Sequence, residues 1–166
     1  MKVVFDFPDP VNEVSARLVA AGVVTMVAVA VIFDQRWLVA VVAYGFVARV
    51  LAGPTLSPLG QLVTRGITPR LGLAPRLVPG PPKRFAQGVG AVFSLTAVIL
   101  TFGFDAWAAA QAVVVLLGGA AFLEAAFGVC LGCRAFALLM RLGVIPAETC
   151  ERCSELWGTA ATGQRA

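Results

Sequence analysis

Long apolar stretches alternate with short polar ones along this chain. Four runs stand out, from about Val14 to Phe33, Trp37 to Gly53, Phe85 to Phe104 and Ala106 to Val129. A helix needs roughly 17–25 apolar residues to cross the hydrocarbon core of a bilayer. Each run therefore predicts a transmembrane helix, the second at the short limit and carrying Arg49. The connections at Asp34 to Arg36 and around Asp105 are only a few residues long, so each flanking pair should form an antiparallel hairpin. The expected fold is all-α and integral to a membrane: four transmembrane helices as two antiparallel hairpins, joined by a long loop and followed by a cysteine-rich segment.

Composition supports this reading. Hydrophobic residues make up 59% of the 166 residues and charged residues 13%, against about half and about a quarter in typical globular chains. A soluble fold of this length could not hide so much apolar surface, so the lipid bilayer is its expected partner. The first run lacks the compact basic start of a signal peptide, since Asp6, Asp9 and Glu13 precede it. It reads as a retained helix. Residues 14–141 are expected to form the membrane domain and residues 142–166 a cytoplasmic tail.

The central loop, Pro54 to Arg84, holds seven prolines, five cations and no acid. So many prolines argue against one continuous helix. A short interfacial helix over Leu59 to Gly66 is expected, with Leu59, Leu62 and Val63 facing the membrane and Arg65 snorkelling. The rest should be extended. The two hairpins also align weakly. Arg17 and Arg84 open them, Trp37 and Trp107 begin their second helices, and Pro54 and Ser57 fall opposite Cys130 and Cys133. Duplication and chance alignment of apolar sequence both account for this.

Charge sets the expected orientation, because Lys and Arg in short loops stay on the cytoplasmic side. With four spans, all the cations except Arg36 fall on the side of the two ends and the central loop, Arg49 lying near its membrane edge. Both termini should be cytoplasmic, in a multi-pass protein of a bacterial inner (cytoplasmic) membrane. The net charge of +4 then reflects topology and anionic lipid. No nucleic acid is expected, for no basic surface is interleaved with aromatics as a binding groove requires.

There is no histidine in the chain, which removes Ser-His-Asp and Cys-His catalysis, histidine-ligated haem and mixed Cys/His zinc sites. What remains is two CxxC pairs, Cys130/Cys133 and Cys150/Cys153, separated by sixteen residues. That spacing fits a four-cysteine zinc site in which each pair presents two thiolates to one ion. CxxC is equally the motif of thiol–disulfide exchange. If Gly128 ends the fourth helix and another begins near Leu131, Cys130 lies at a helix N-terminus beside Arg134, and both features lower its pKa. Dithiol redox or sulfur handling, structural metal and inert thiols all remain open. A permanent disulfide would not survive on a reducing face.

Within the membrane, Arg49 and Glu124 are the two charges, and charges there are costly and usually paired. Arg49 lies four residues before Gly53 and Glu124 six before Cys130. At about 1.5 Å per residue this places them at comparable depth, so they are expected to form an ion pair. Gln87 and Gln111 are expected to hydrogen-bond between helices, and Gly118 and Gly119 to mark close packing.

Two stretches, Pro82-Lys-Arg-Phe-Ala-Gln-Gly-Val-Gly90 and Ala125-Ala-Phe-Gly-Val-Cys-Leu-Gly-Cys133, resemble a family of bacterial membrane proteins, domain of unknown function 4395. The resemblance covers roughly Val14 to Arg141. It implies the fold and singles out Cys130 and Cys133, while Cys150 and Cys153 lie in a C-terminal extension. It implies no activity. The leading expectation is a membrane-bound thiol protein serving a cytoplasmic thioredoxin-like or sulfurtransferase partner, Cys130 attacking and Cys133 resolving. The alternatives are a membrane scaffold clamped by zinc on Cys130, Cys133, Cys150 and Cys153, and a small transporter subunit using Arg49 and Glu124, which would need to oligomerise.

Overall fold

Asn12 starts the first helix by accepting a hydrogen bond from the Val14 N–H at 3.0 Å, which satisfies one of the amides a helix start leaves free. A computed structural model of the chain describes residues 9–72, 74–146 and 149. Helix α1 spans Glu13–Ile32 and α2 spans Trp37–Ala52. A 3-10 turn, Gly53–Thr55, leads into the short helices α3, Pro58–Gln61, and α4, Thr68–Arg70, with a π-helical segment, Leu62–Ile67, between them. Helix α5 is Gly80–Val98, extended by a π-helical turn to Gly103, and α6 is Trp107–Phe127. Helix α7, Leu131–Arg141, follows a sharp bend. Strands β1, Val11–Asn12, and β2, Leu77–Val78, pair antiparallel and tie the start of α1 to the segment before α5.

Among the described residues four helices are long and apolar enough to cross a membrane: Glu13–Ile32, Trp37–Arg70, Gly80–Gly103 and Trp107–Phe127. Their broadest contacts run between the two halves of the chain, α1 against α6 and α2 against α5. Val23, Val27, Val39, Val42, Val114 and Leu117 form the centre of the core. Lipid is as apolar as these side chains, so helix association there rests on close packing and polar contacts rather than on escape from water. Two glycines supply the close approach. A Cβ at Gly90 would stand 2.2 Å from the Phe46 ring, and one at Gly118 would stand 2.9 Å from Val27. Gly119, expected to pack in the same way, has nothing within 4 Å.

The central segment is helical where a short helix was expected, over residues 58–67, but the rest is less extended than its prolines predict: α4 continues from Thr68 and α5 begins at Gly80. Pro58 and Pro69 stand at the starts of α3 and α4, and Pro81 within the first turn of α5. There a proline's missing N–H costs nothing and its fixed φ suits the helix. Nor do Leu59, Leu62 and Val63 share one membrane-facing side. Val63 is buried and Leu59 packs on the core near Gly22, whereas Leu62 is exposed.

Candidate functional site

The end of α6 is pinned from outside. Arg17 of α1 donates from Nε and Nη2 to the Ala125 carbonyl at 3.2 and 3.1 Å, and from Nη2 to the Ala126 carbonyl at 2.9 Å. A cation on the last free carbonyls of a helix also meets the negative end of its dipole. Gly128 then takes φ 68 and ψ 15, the left-handed conformation that ends a helix cheaply only with glycine. Two residues later Cys130 is extended, with φ −87 and ψ 107, and stands as the N-cap of α7.

Helix α7 docks on α5. A Cβ at Gly132 would lie 2.5 Å from Ala86 Cβ and 2.6 Å from its Cα, so the glycine of Cys-Leu-Gly-Cys is what lets the two backbones approach. One turn on, Phe136 is buried against Phe85, their ring centroids 5.6 Å apart. The bend and this docking hold Cys130 and Cys133 beside the first turn of α5.

Lys83 stands in that turn. Its Nζ lies 2.5 Å from Glu124 Oε1, with the two side chains only 9% and 16% exposed. Both thiols feel this pair. The Cys130 thiol is held below its ordinary value, chiefly because the Cys133 side chain hydrogen-bonds to it; Lys83 and the Cys133 N–H act the same way, against burial and Glu124. The Cys133 thiol is pushed up by the same hydrogen bond, by burial and by the charge on Cys130. The two shifts run in opposite directions, Cys130 down and Cys133 up. Both cysteines are free, Cys130 buried and Cys133 partly exposed.

The expected ion pair between Arg49 and Glu124 is not formed. Glu124 is taken by Lys83, which falls in the proline-rich loop by sequence pattern but belongs to a helix that begins at Gly80. Arg49 instead donates from Nε to Gln87 Oε1 at 2.9 Å and from Nη1 to Ser57 Oγ at 3.3 Å. Its guanidinium also lies over the Phe46 ring, 4.6 Å from the centroid. Gln87 therefore does join α5 to α2. Gln111 reaches Asp34 in the first connection at 3.4 Å. Arg134, expected beside Cys130, is exposed, and the cation acting on the thiols is Lys83.

Cys150 and Cys153 lie outside the described residues. Among the described residues no group of three His, Cys, Asp or Glu side chains is placed to hold a metal ion. Lys83 and Gly132 are the site residues that sequence reasoning missed. The signal for Lys83 was present, since consecutive prolines just before it mark a helix start.

These features define a class: a helical bundle with four membrane-length helices and a dithiol bend packed on a buried ion pair. The family model of a domain of unknown function (DUF4395) matches residues 11–141, and the chain belongs to that family. No curated protein and no solved structure matches it.

Proposed function

We propose that this chain is a membrane-bound dithiol protein whose Cys130 attacks and whose Cys133 resolves. The observation that carries the reading is the position of Cys130. An N-cap favours Ser, Thr, Asp or Asn, whose oxygen caps a free amide, yet Cys130 makes no such bond. It is a poor residue for holding the bend and a good one for presenting a thiolate beside Lys83. In the first step the Cys130 thiolate attacks one sulfur of a partner's disulfide, forming a mixed disulfide and releasing the partner's other sulfur as thiolate. Cys133 then gives up its proton and attacks the Cys130 sulfur, releasing the partner's second thiolate. The two cysteines are oxidised to a disulfide and the partner's disulfide is reduced by the same two electrons. A thioredoxin-like or sulfurtransferase protein is the class of partner that handles such electrons or sulfur.

On this reading the spans are two antiparallel hairpins in a cytoplasmic membrane, with both termini and the dithiol on the cytoplasmic face, where the excess of Lys and Arg belongs. The reducing compartment would keep the pair available as thiols. The test uses the full chain with Cys150→Ser and Cys153→Ser, so that only the first pair reports. Treated with dithiobisnitrobenzoate, it is expected to release two equivalents of chromophore and form the Cys130–Cys133 disulfide. With Cys133→Ser added, release should stop at one equivalent and leave a stable mixed disulfide on Cys130. An unreactive Cys130, or a Cys130→Ser protein that reacts just as fast, defeats the proposal.

A further inference from the structure

A cavity of about 500 Å³, which shares Lys83 with the thiol site, opens between the start of α1, the end of α2, the π-helical segment and the first turns of α5. That size is usual for small-molecule sites. Val11, Ala16, Val19 and Pro54 supply apolar wall, and Arg49 and Lys83 supply charge. Arg49 is 5% exposed. No carboxylate lies within ion-pair distance of it among the described residues. Its Nε and Nη1 are engaged by neutral groups, Gln87 and Ser57, and its Nη2 hydrogen-bonds to no described residue. Gly45, one turn earlier, leaves room for the guanidinium, since a Cβ there would stand 3.2 Å from Nη1.

A cation removed from water without a counter-charge is costly, and such groups normally meet an anion or a water-filled cavity. Glu124 acts on Arg49 only as a more distant charge, since its carboxylate is paired directly with Lys83. The net charge in the wall is therefore the single positive charge of Arg49. We infer that the cavity binds a singly charged oxyanion with an apolar body, its head on Arg49 and its body along Val11, Ala16 and Val19. Guanidinium offers paired donors that match carboxylate, sulfonate and phosphodiester oxygens. The head can come from a soluble organic acid or from an anionic lipid of the surrounding bilayer. This inference is independent of the thiol chemistry proposed above.

The test places the full chain in phosphatidylcholine nanodiscs and titrates hexanesulfonate against hexanol, subtracting protein-free discs. Hexanesulfonate is expected to bind at least tenfold more tightly than hexanol. Arg49→Gln should weaken hexanesulfonate at least tenfold, and Thr64→Phe, which fills the cavity without touching the charge, should do the same. In a second arm, discs doped with phosphatidylglycerol are analysed by native mass spectrometry. Retention of phosphatidylglycerol lost in both variants, without binding of hexanesulfonate, assigns the head to lipid and keeps the inference. Should Arg49→Gln fail to fold, Thr64→Phe still decides. Equal binding of hexanesulfonate and hexanol, binding unaffected by Thr64→Phe, or binding of neither anion overturns it.

Discussion

Helices α2 and α6 are built alike, and their ends differ in one decisive respect. Each begins at a tryptophan shortly after an aspartate with positive φ, Asp34 at 50° and Asp105 at 48°. Each stops at a glycine with positive φ, Gly53 at 58° and Gly128 at 68°. Each is followed by an extended residue that begins the next helix, Ser57 at φ −90, ψ 118 and Cys130 at φ −87, ψ 107. Ser57 caps properly, accepting from the Gly60 N–H at 3.2 Å and from Arg49. Cys130 caps nothing. The bend does not need a cysteine, then, and the end of α6 carries a thiol where the end of α2 carries a good cap. The charges beside the two bends differ in the same sense. Arg49 meets only neutral groups, at Nε and Nη1, whereas Lys83 is locked to a carboxylate.

That difference predicts unequal costs when each cation is removed. Lys83→Met leaves Glu124 buried and unpaired and should destabilise the protein by about 3–5 kcal/mol. Joining it to Glu124→Leu should recover most of the loss. Arg49→Met strands only Gln87 and Ser57, two neutral hydrogen bonds worth together about 1–3 kcal/mol. Unfolding in detergent measures both, and equal costs would break the comparison. A smaller effect sharpens it at the caps. Ser57→Ala should cost about 1 kcal/mol through its lost cap. Cys130→Ser should cost no more than about 0.5 kcal/mol, because no cap bond is lost and a hydroxyl can make one. The smallest change belongs to the exposed pair Arg36–Asp105, 2.8 Å apart. Arg36→Ala should shift stability by less than about 1 kcal/mol, as surface pairs do.

Much of the frame was legible in the sequence. Runs from Val14, Trp37, Phe85 and Ala106 mark helices because apolar length alone distinguishes them, and Gly128 with Cys130 marks the bend because glycine is the residue that ends helices. The ion pair was not legible. Counting residues along two helices gives the height of Arg49 and Glu124 but not the direction in which each points, and Lys83 on the intervening helix reaches Glu124 first. The central segment was misread for a related reason. Proline is hostile inside a helix and favourable at its first turn, so Pro69 and Pro81 stand at helix starts where extended chain was expected, while Pro58 opens the helix expected from Leu59. Nothing local in the sequence tells that Gly132 rests on Ala86 while Gly119 touches nothing, since that depends on which helix crosses which.

The central claim, that Lys83 and Cys133 prepare Cys130 as the thiolate of the pair, is tested most directly by the pH dependence of its alkylation. In the Cys150→Ser/Cys153→Ser protein, iodoacetamide labelling followed by mass spectrometry reports Cys130 and Cys133 separately. Reactivity follows the thiolate, so the midpoint for Cys130 should fall below the ordinary thiol value of about 8.5, while Cys133 stays unlabelled. Removing the cation with Lys83→Met should move the Cys130 midpoint up, and Glu124→Gln should move it down. A Cys130 midpoint at or above that of an ordinary thiol, or one indifferent to Lys83→Met, would contradict the account.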